Sequence, residues 1–202
     1  RVWGSSRDAS TVDRENLDRL GIANQTIMVT MCPWQAESVL DTLGKVKPDE
    51  LYYLAGQSSV GLSFDMPLET MQGIALGMLN VLEGVRRLGL TTRVFNAGSS
   101  ECFGFVTDRA ADESTPFHPG NPYAIAKSTA HQLVQAYRDN HQVFACTGHF
   151  FNHESPLRGQ AFVSRKITLS MARIKLGLQD CLSLGNISAK RDWGHARDYI
   201  EV

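Results

Sequence analysis

Tyr123 and Lys127, four residues apart, are the pair in this sequence whose types and spacing most directly suggest chemistry. The surrounding pattern predicts a helix over 122–140, and both side chains would project from the same face of it. A lysine ammonium beside a phenol favours the phenolate, so we expect Lys127 to lower the pKa of Tyr123. The same ammonium can hold a ribose hydroxyl. Taken alone, the spacing is more typical of an exposed pair on an ordinary helix.

A hydroxyl and a carboxylate, Ser99 and Glu101, follow a strand predicted over 93–97. At the rim of a sheet they can face a tyrosine at the start of the next helix. Ser99 would then hydrogen-bond a substrate hydroxyl, and Glu101 would act as a general acid or base. The alternative is a serine turn with a glutamate opening a helical turn. Their occurrence together with Tyr123 and Lys127 favours an active site.

The elements that must position these residues alternate short apolar runs with longer amphipathic stretches. This alternation predicts an α/β fold, a doubly wound parallel sheet with helices on both faces, in which ligands bind at the carboxyl ends of the strands. Gly73, Gly77 and Gly84 lower the helix propensity of one long segment, which indicates close packing against a neighbour. The polar connection 107–120 is long enough to be functional. Strands are predicted at 51–55, 93–97, 143–147 and 182–184, and helices at 67–89, 122–140 and 161–176.

Composition and charge narrow the class of protein. The 20 basic and 21 acidic residues leave a net charge of −1, which removes the electrostatic argument for nucleic acid or an anionic membrane as partner. No apolar run is long enough to predict a membrane-spanning helix, and we expect a cytoplasmic protein. Four scattered cysteines argue against a thiolate zinc site. His149 and His153 have a zinc-like spacing, but they follow a strand rather than lie on a helix, so we expect no metal.

Three longer strings identify a resemblance. They are Ser-Thr-Pro-Phe-His-Pro at 114–119 leading into Asn-Pro-Tyr-Ala, Phe-Asn-His-Glu-Ser-Pro-Leu-Arg-Gly at 151–159, and Lys-Arg-Asp-Trp-Gly-His-Ala-Arg-Asp-Tyr at 190–199. With Ser99-x-Glu101 and Tyr123-x-x-x-Lys127, they resemble an extended short-chain dehydrogenase/reductase that acts on nucleotide sugars. Over nearly the whole chain the sequence is similar to the GDP-mannose 4,6-dehydratase family. The resemblance implies a Rossmann-like fold, NADP as cofactor, GDP-mannose as substrate, a homodimer or homotetramer, and a product used in deoxysugar synthesis such as that of GDP-fucose.

The resemblance also implies residue roles. Tyr123 would take the O4 proton during oxidation at C4, and Glu101 would remove the C5 proton as water leaves C6. Ser99 stands where the family usually has threonine, so the hydroxyl is kept. Arg7 suits the 2′-phosphate that distinguishes NADP from NAD. The implied cofactor contacts are Arg7, Leu54, Ala55, Gly56, Gln57, Ser58, Lys127, His153 and Arg158, and the implied substrate contacts are Asn152, Lys166 and Arg191.

Some positions depart from the family pattern. Cys32 and Glu69 replace residues that contact the cofactor, so those contacts are expected to be lost. The sequence also has no Gly-x-x-Gly-x-x-Gly loop, which normally holds the cofactor pyrophosphate at a helix N-terminus. We therefore expect an internal piece of a larger enzyme, with its sheet incomplete at the N-terminal strand. Residues 1–150 would be a partial NADP-binding Rossmann domain. Residues 151–202 would continue the sheet and begin a smaller substrate domain.

Two alternatives to the dehydratase stay open at this point. One is a related nucleotide-sugar enzyme, an epimerase or a UDP-glucuronate decarboxylase, which shares the shorter motifs but not the two long strings. The other is a chain that binds no cofactor and acts as a subunit or inert fragment. The missing glycine loop motivates this second alternative.

Overall fold

Short parallel strands and intervening helices make up the described part of the chain. The computed structural model describes residues 1–105, 110–188 and 190–201. The predicted connection 107–120 therefore lies partly outside the described residues. The strands are β1 Val2–Ser6, β2 Thr26–Thr30, β3 Glu50–Tyr53, β4 Arg93–Ser99, β5 Ala145–Phe150, β6 Asn152–Glu154 and β7 Trp193–His195. The helices are α1 Glu15–Arg19, α2 Ala36–Val46, α3 Val60–Asp65, α4 Pro67–Met71, α5 Gly77–Arg87, α6 Pro122–His141, α7 Val163–Lys175 and α8 Ala196–Tyr199, with 3-10 turns at Ala23–Gln25 and Ser100–Phe103.

Parallel pairing joins the strands, and the chain divides into two compact units, Arg1–His149 and Phe150–Val202. In the first unit β1 pairs with β2 in parallel, and β3 pairs with β4 in parallel. Strand β5 lies on the other edge of β4. In the second unit β6 pairs in parallel with β7. The predicted α/β class with parallel strands is confirmed.

Two strand predictions need correction. Residues 182–184, predicted as a strand, form none, and the strands of the second unit are β6 and β7 instead. The strand predicted over 143–147 begins at Ala145. Gln142 adopts a left-handed backbone with φ 57°, and the Val143 amide donates back to the Tyr137 carbonyl at 3.3 Å. These two features end helix α6 and delay the strand.

The predicted helix at 67–89 is continuous but changes geometry along its length. It runs from α4 through a π-helical stretch, Gln72–Leu76, into α5. The interpretation of its glycines as close-packing positions is confirmed. A Cβ at Gly77 would overlap the Tyr53 hydroxyl, and one at Gly84 would lie 2.8 Å from Leu43 Cδ1. The absence of side chains there lets this helix approach β3 and α2.

The core that supports the site lies between α2, α5, α6 and the sheet of β3 and β4. Val39, Met78, Leu82, Val94 and Val134 are almost completely buried in it. Burying each such side chain stabilises the fold by about 1.5–3 kcal/mol. Helix α6 is packed against β4 in this way, and the residues after β4 therefore face the first turns of α6.

Candidate active site

Ser99 ends strand β4 and begins the turn that carries Glu101. Its Oγ accepts a hydrogen bond from the Glu101 amide at 3.3 Å and so caps the 3-10 turn Ser100–Phe103. Serine suits this position because its short side chain reaches the unpaired amides at the start of a helical turn. Ser99 is buried and Glu101 is half-buried. A shielded hydroxyl and a more accessible carboxylate are thus held by one short turn.

Helix α6 begins at an asparagine cap. The Oδ1 of Asn121 accepts a hydrogen bond from the Ala124 amide at 2.8 Å, and Pro122 follows at the first helical position, where a missing N–H is tolerated. Tyr123 and Lys127 then lie on the inward face and are only 9% and 7% exposed. The interpretation of this pair as an exposed one is therefore wrong.

Burial dominates the acid–base character of Tyr123. It raises the phenol's pKa, against a hydrogen bond with the Ser99 side chain that lowers it. The nearby Glu101 charge also raises it. The expectation that Lys127 would lower the Tyr123 pKa is thus wrong for this structure. The Lys127 Nζ lies 5.7 Å from the centre of the phenol ring, and its hydrogen bond goes elsewhere.

Lys127 is tied to the backbone of β4. Its Nζ donates to the carbonyl of Ala97 at 2.7 Å. Burial lowers the pKa of Lys127 to about 8 because the charged form loses solvation. The ammonium has further N–H donors beyond the one that Ala97 accepts, and these can hold hydroxyl groups of a ligand. The donor set therefore fits the ribose of a dinucleotide.

The other predicted contacts of the first unit follow strands β1 and β3. The Arg7 guanidinium lies after β1, 5.8 Å from the centre of the Trp34 ring, in a cation–π arrangement. After β3, Leu54, Gly56 and Ser58 are exposed, and Ala55 and Gln57 are half-buried. The Gln57 amide is fixed from both ends. It donates to Thr70 Oγ1 at 2.9 Å and accepts from the Ser59 amide at 2.7 Å.

The predicted contacts of the second unit lie on or beside its strands and on α7. Asn152 and His153 are in β6, and the His153 Nδ1 is 3.0 Å from the Phe151 carbonyl oxygen. Arg158 stacks 3.5 Å from the centre of the Phe162 ring, and its Nε lies 3.2 Å from Glu154 Oε2. These contacts fix the guanidinium plane. Lys166 and Arg191 are exposed.

Two contacts near the site were not predicted from the sequence. Asn121 Nδ2 donates to Glu101 Oε2 at 3.2 Å, although the sequence singled out Asn121 only as part of a string. His131 and His149 pair on the wall of a cavity of about 540 Å³ that Phe103 and Phe117 also line. No local spacing signals either contact, because the partners come from different elements.

Among residues 1–105, 110–188 and 190–201, no group of three or more His, Cys, Asp or Glu side chains is placed to hold a metal ion. Within the same ranges, no helix combines the length and apolar character needed to cross a bilayer.

Comparison with known proteins identifies the family. The family model described as GDP-mannose 4,6 dehydratase matches residues 1–202. The chain belongs to this family. It is 49% identical to a GDP-mannose 4,6-dehydratase of Vibrio cholerae over 208 residues, which cover 100% of this chain and 56% of the relative. It is 49% identical to GDP-mannose 4,6 dehydratase 2 of Arabidopsis thaliana over 171 residues, covering 83% of this chain and 46% of the relative. The chain thus spans about half the length of the curated relatives it matches.

Solved structures place this member of the GDP-mannose 4,6-dehydratase family among related folds. RMD from Pseudomonas aeruginosa, complexed with NADPH, superposes with a TM-score of 0.81 at 26% identity, covering 100% of this chain and 70% of that one. A double mutant of DesIV, a dTDP-glucose 4,6-dehydratase from Streptomyces venezuelae with NAD and DAU bound, gives a TM-score of 0.83 at 19% identity, with coverages of 99% and 60%. At that identity the second likeness shows the fold alone.

Proposed function

We propose that the full-length gene product is a GDP-mannose 4,6-dehydratase, which converts GDP-D-mannose to GDP-4-keto-6-deoxy-D-mannose with loss of water. The observation that carries the proposal is the convergence of Ser99, Glu101, Tyr123 and Lys127 at the end of β4. Family membership supports the choice of substrate. The reaction has no net change in oxidation state.

Tyr123 is the proposed base for the first step. It accepts the proton of the sugar's C4 hydroxyl, and Ser99 hydrogen-bonds the same oxygen. Burial raises the Tyr123 pKa and works against the phenolate. The Ser99 hydrogen bond favours the phenolate. Lys127, whose Nζ donates to the Ala97 carbonyl, is proposed to act by holding the cofactor ribose beside Tyr123.

Glu101 is the proposed base for the elimination. A carbonyl at C4 makes the C5 proton acidic, and the half-buried Glu101 carboxylate removes it. A double bond then forms between C5 and C6, and the C6 hydroxyl departs as water with that proton. Solvent supplies the proton that later returns to C5. The proposed steps use no metal ion.

NADP is the proposed cofactor, and when bound it would supply hydride transfer between C4 and C6 of the sugar. The unused N–H donors of Lys127 and the guanidinium of Arg7 suit its ribose and phosphate groups. Cys32, whose amide donates to Ser38 Oγ, and the exposed Glu69 offer no family-type contact. The proposed cofactor contacts are Arg7, Leu54, Ala55, Gly56, Gln57, Ser58, Lys127, His153 and Arg158.

The nucleotide sugar is proposed to contact Asn152, Lys166 and Arg191. Exposed cations such as the last two suit a pyrophosphate. We also propose a doubly wound sheet divided at residue 150 between a cofactor part and the beginning of a substrate part. A homodimer or homotetramer and a product that feeds deoxysugar synthesis complete the proposal.

An isotope experiment tests the function. The full-length gene product is incubated with GDP-mannose in D₂O, and the product is examined by NMR. We expect a 4-keto-6-deoxy sugar with deuterium at C5 and the original C4 hydrogen at C6. An epimerase would instead return a C4-inverted sugar without deuterium at C5. Absence of any 6-deoxy product would end the dehydratase assignment.

The Glu101→Gln variant separates the two chemical steps. It keeps the shape of the side chain but removes the basic carboxylate. We expect oxidation at C4 to persist in a single turnover while deuterium no longer enters C5. Glu37→Gln, at an exposed carboxylate on α2, is the matched control and should behave as the parent does.

A further inference from the structure

The side chain of Asn121 uses its two ends for two different partners. Its Oδ1 accepts from the Ala124 amide at 2.8 Å, and its Nδ2 donates to Glu101 Oε2 at 3.2 Å. One contact belongs to the helix that carries Tyr123, and the other belongs to the turn that carries the proposed elimination base. A single half-buried side chain therefore spans both parts of the site.

The orientation of this amide is fixed by hydrogen-bond chemistry. A backbone N–H can only donate, so the atom facing the Ala124 amide must be the acceptor Oδ1. The amide nitrogen then necessarily faces Glu101, and an ionised carboxylate can only accept. Rotating the amide by half a turn would place Nδ2 against the Ala124 N–H, so that two donors face each other. It would also place Oδ1 against the Glu101 carboxylate, so that two acceptors face each other.

The backbone restricts Asn121 as well. It precedes Pro122, which disfavours the helical conformation for the residue before it. Asn121 is accordingly extended, with φ −149° and ψ 161°. The side chain thus starts from a defined backbone direction, and both of its ends are engaged.

We propose that Asn121 is a positioning residue that holds the Glu101 carboxylate for removal of the C5 proton. The hydrogen bond engages Oε2, which leaves Oε1 as the oxygen for proton transfer. Because the same side chain caps α6, it also sets the place of the carboxylate relative to Tyr123. This inference rests on the proposed function, since it assigns Glu101 the elimination step.

Two variants separate positioning from helix capping. Asn121→Asp keeps the helix cap and the shape of the side chain, but it places a second carboxylate beside that of Glu101. Asn121→Ser also keeps a capping oxygen and removes the amide donor. In both we expect C4 oxidation within about threefold of the parent, and deuterium entry at C5 slower by about tenfold to a hundredfold, because small displacements of a reacting group are costly.

The outcomes are distinct. Slowed C5 exchange with near-normal C4 oxidation in either variant supports the inference. Parent-like C5 exchange in both variants overturns it while leaving the proposed function standing. A parent that forms no 6-deoxy product overturns the proposed function, and the inference with it. If Asn121→Asp fails to fold, Asn121→Ser decides, because it introduces no repulsion.

A spectroscopic measurement tests the contact without any turnover. In protein labelled with ¹⁵N-asparagine, the side-chain amide protons of Asn121 should shift when Glu101 is changed to Ala. Glu113→Ala, at an exposed carboxylate, should leave them in place. An Asn121 amide that does not respond to Glu101→Ala would contradict the proposed hydrogen bond.

Discussion

The Nε2 of His149 lies 3.2 Å from the Nδ1 of His131, so strand β5 and helix α6 meet through a pair of imidazoles. The two rings pack with Phe103 and Phe117, and five ring pairs in this cluster have centroids 4.9 to 5.4 Å apart. One ring nitrogen of such a pair must donate and the other accept. If both rings were protonated, two N–H donors would face each other and the hydrogen bond would be lost. The pair is therefore stable only while at least one ring is neutral.

This pair predicts that acid destabilises the first unit. Burial lowers the pKa of both histidines, and in His131 the charge of His149 and that of Arg138 lower it further. The unfolded chain therefore takes up protons before the folded one as pH falls through about 6.5. The free energy of unfolding should decrease as pH falls below that value. His131→Gln should make this dependence of the free energy on pH less steep. Urea unfolding between pH 7 and 5 measures it. His118→Gln, at an exposed histidine, is the control, and equal slopes in both variants would contradict the prediction.

Lys127 predicts a further rise in stability with pH, in the alkaline range. Its pKa is lowered from 10.5 to about 8 by burial, so between these values the unfolded chain holds a proton that the folded chain has released. Stability carried by this group should rise across that window by about 3 kcal/mol, at about 1.4 kcal/mol per pH unit. Relative to the parent, Lys127→Met should lack this rise in urea unfolding from pH 8 to 10. Parallel curves would show that the ammonium is solvated in the folded state.

Tyr123→Phe tests the proposed base. The change keeps the ring and removes the hydroxyl, so kcat of the full-length gene product with GDP-mannose should fall by about 10²–10⁴. Binding of GDP-mannose, measured by calorimetry, should change little. Tyr137→Phe is the matched control on the same helix, where the hydroxyl donates to Glu83 at 3.0 Å. A Tyr123→Phe enzyme that retained most of its kcat would refute the role.

Two glycine-to-alanine changes should alter the free energy of unfolding in opposite directions. Gly77→Ala places a methyl group on the Tyr53 hydroxyl and should destabilise the chain by about 1–3 kcal/mol, as overpacking does. Gly44→Ala lies in α2 with no neighbouring heavy atom within 4 Å of its Cβ. It should stabilise by up to about 1 kcal/mol through helix propensity. Thermal unfolding of both variants gives the comparison, and a stabilising Gly77→Ala would contradict the packing described above.

Local pattern predicted most of what lies near β4 and α6. The strand before Ser99 and the helix beginning at Pro122 are each encoded by contiguous residues, and their chain order brings Ser99 and Tyr123 to one edge. The predicted strand at 182–184 failed because a short apolar run specifies no partner. β7 pairs with β6 through residues about 40 positions apart, which periodicity does not reveal.

The electrostatics of the site were the least predictable part. The spacing of Tyr123 and Lys127 indicated an ammonium beside a phenol, but it carried no information on how deeply either would be buried. Burial sets the direction of both pKa shifts. The hydrogen bond from Asn121 to Glu101 could not be predicted for a similar reason. It depends on a capping geometry in which Oδ1 binds the Ala124 amide and Nδ2 is left to bind the Glu101 carboxylate.

The buried amine of Lys127 also offers a way to measure local opening of the site by chemical labelling. An amine with a pKa near 8 is far more nucleophilic at neutral pH than a solvated lysine, yet this one is only 7% exposed and bound to the Ala97 carbonyl. An acylating reagent can reach this amine only when the first turns of α6 separate from β4, and the same separation solvates the amine and returns its pKa towards the ordinary value. The rate at which Lys127 becomes labelled would follow the frequency of that separation, with no substrate present.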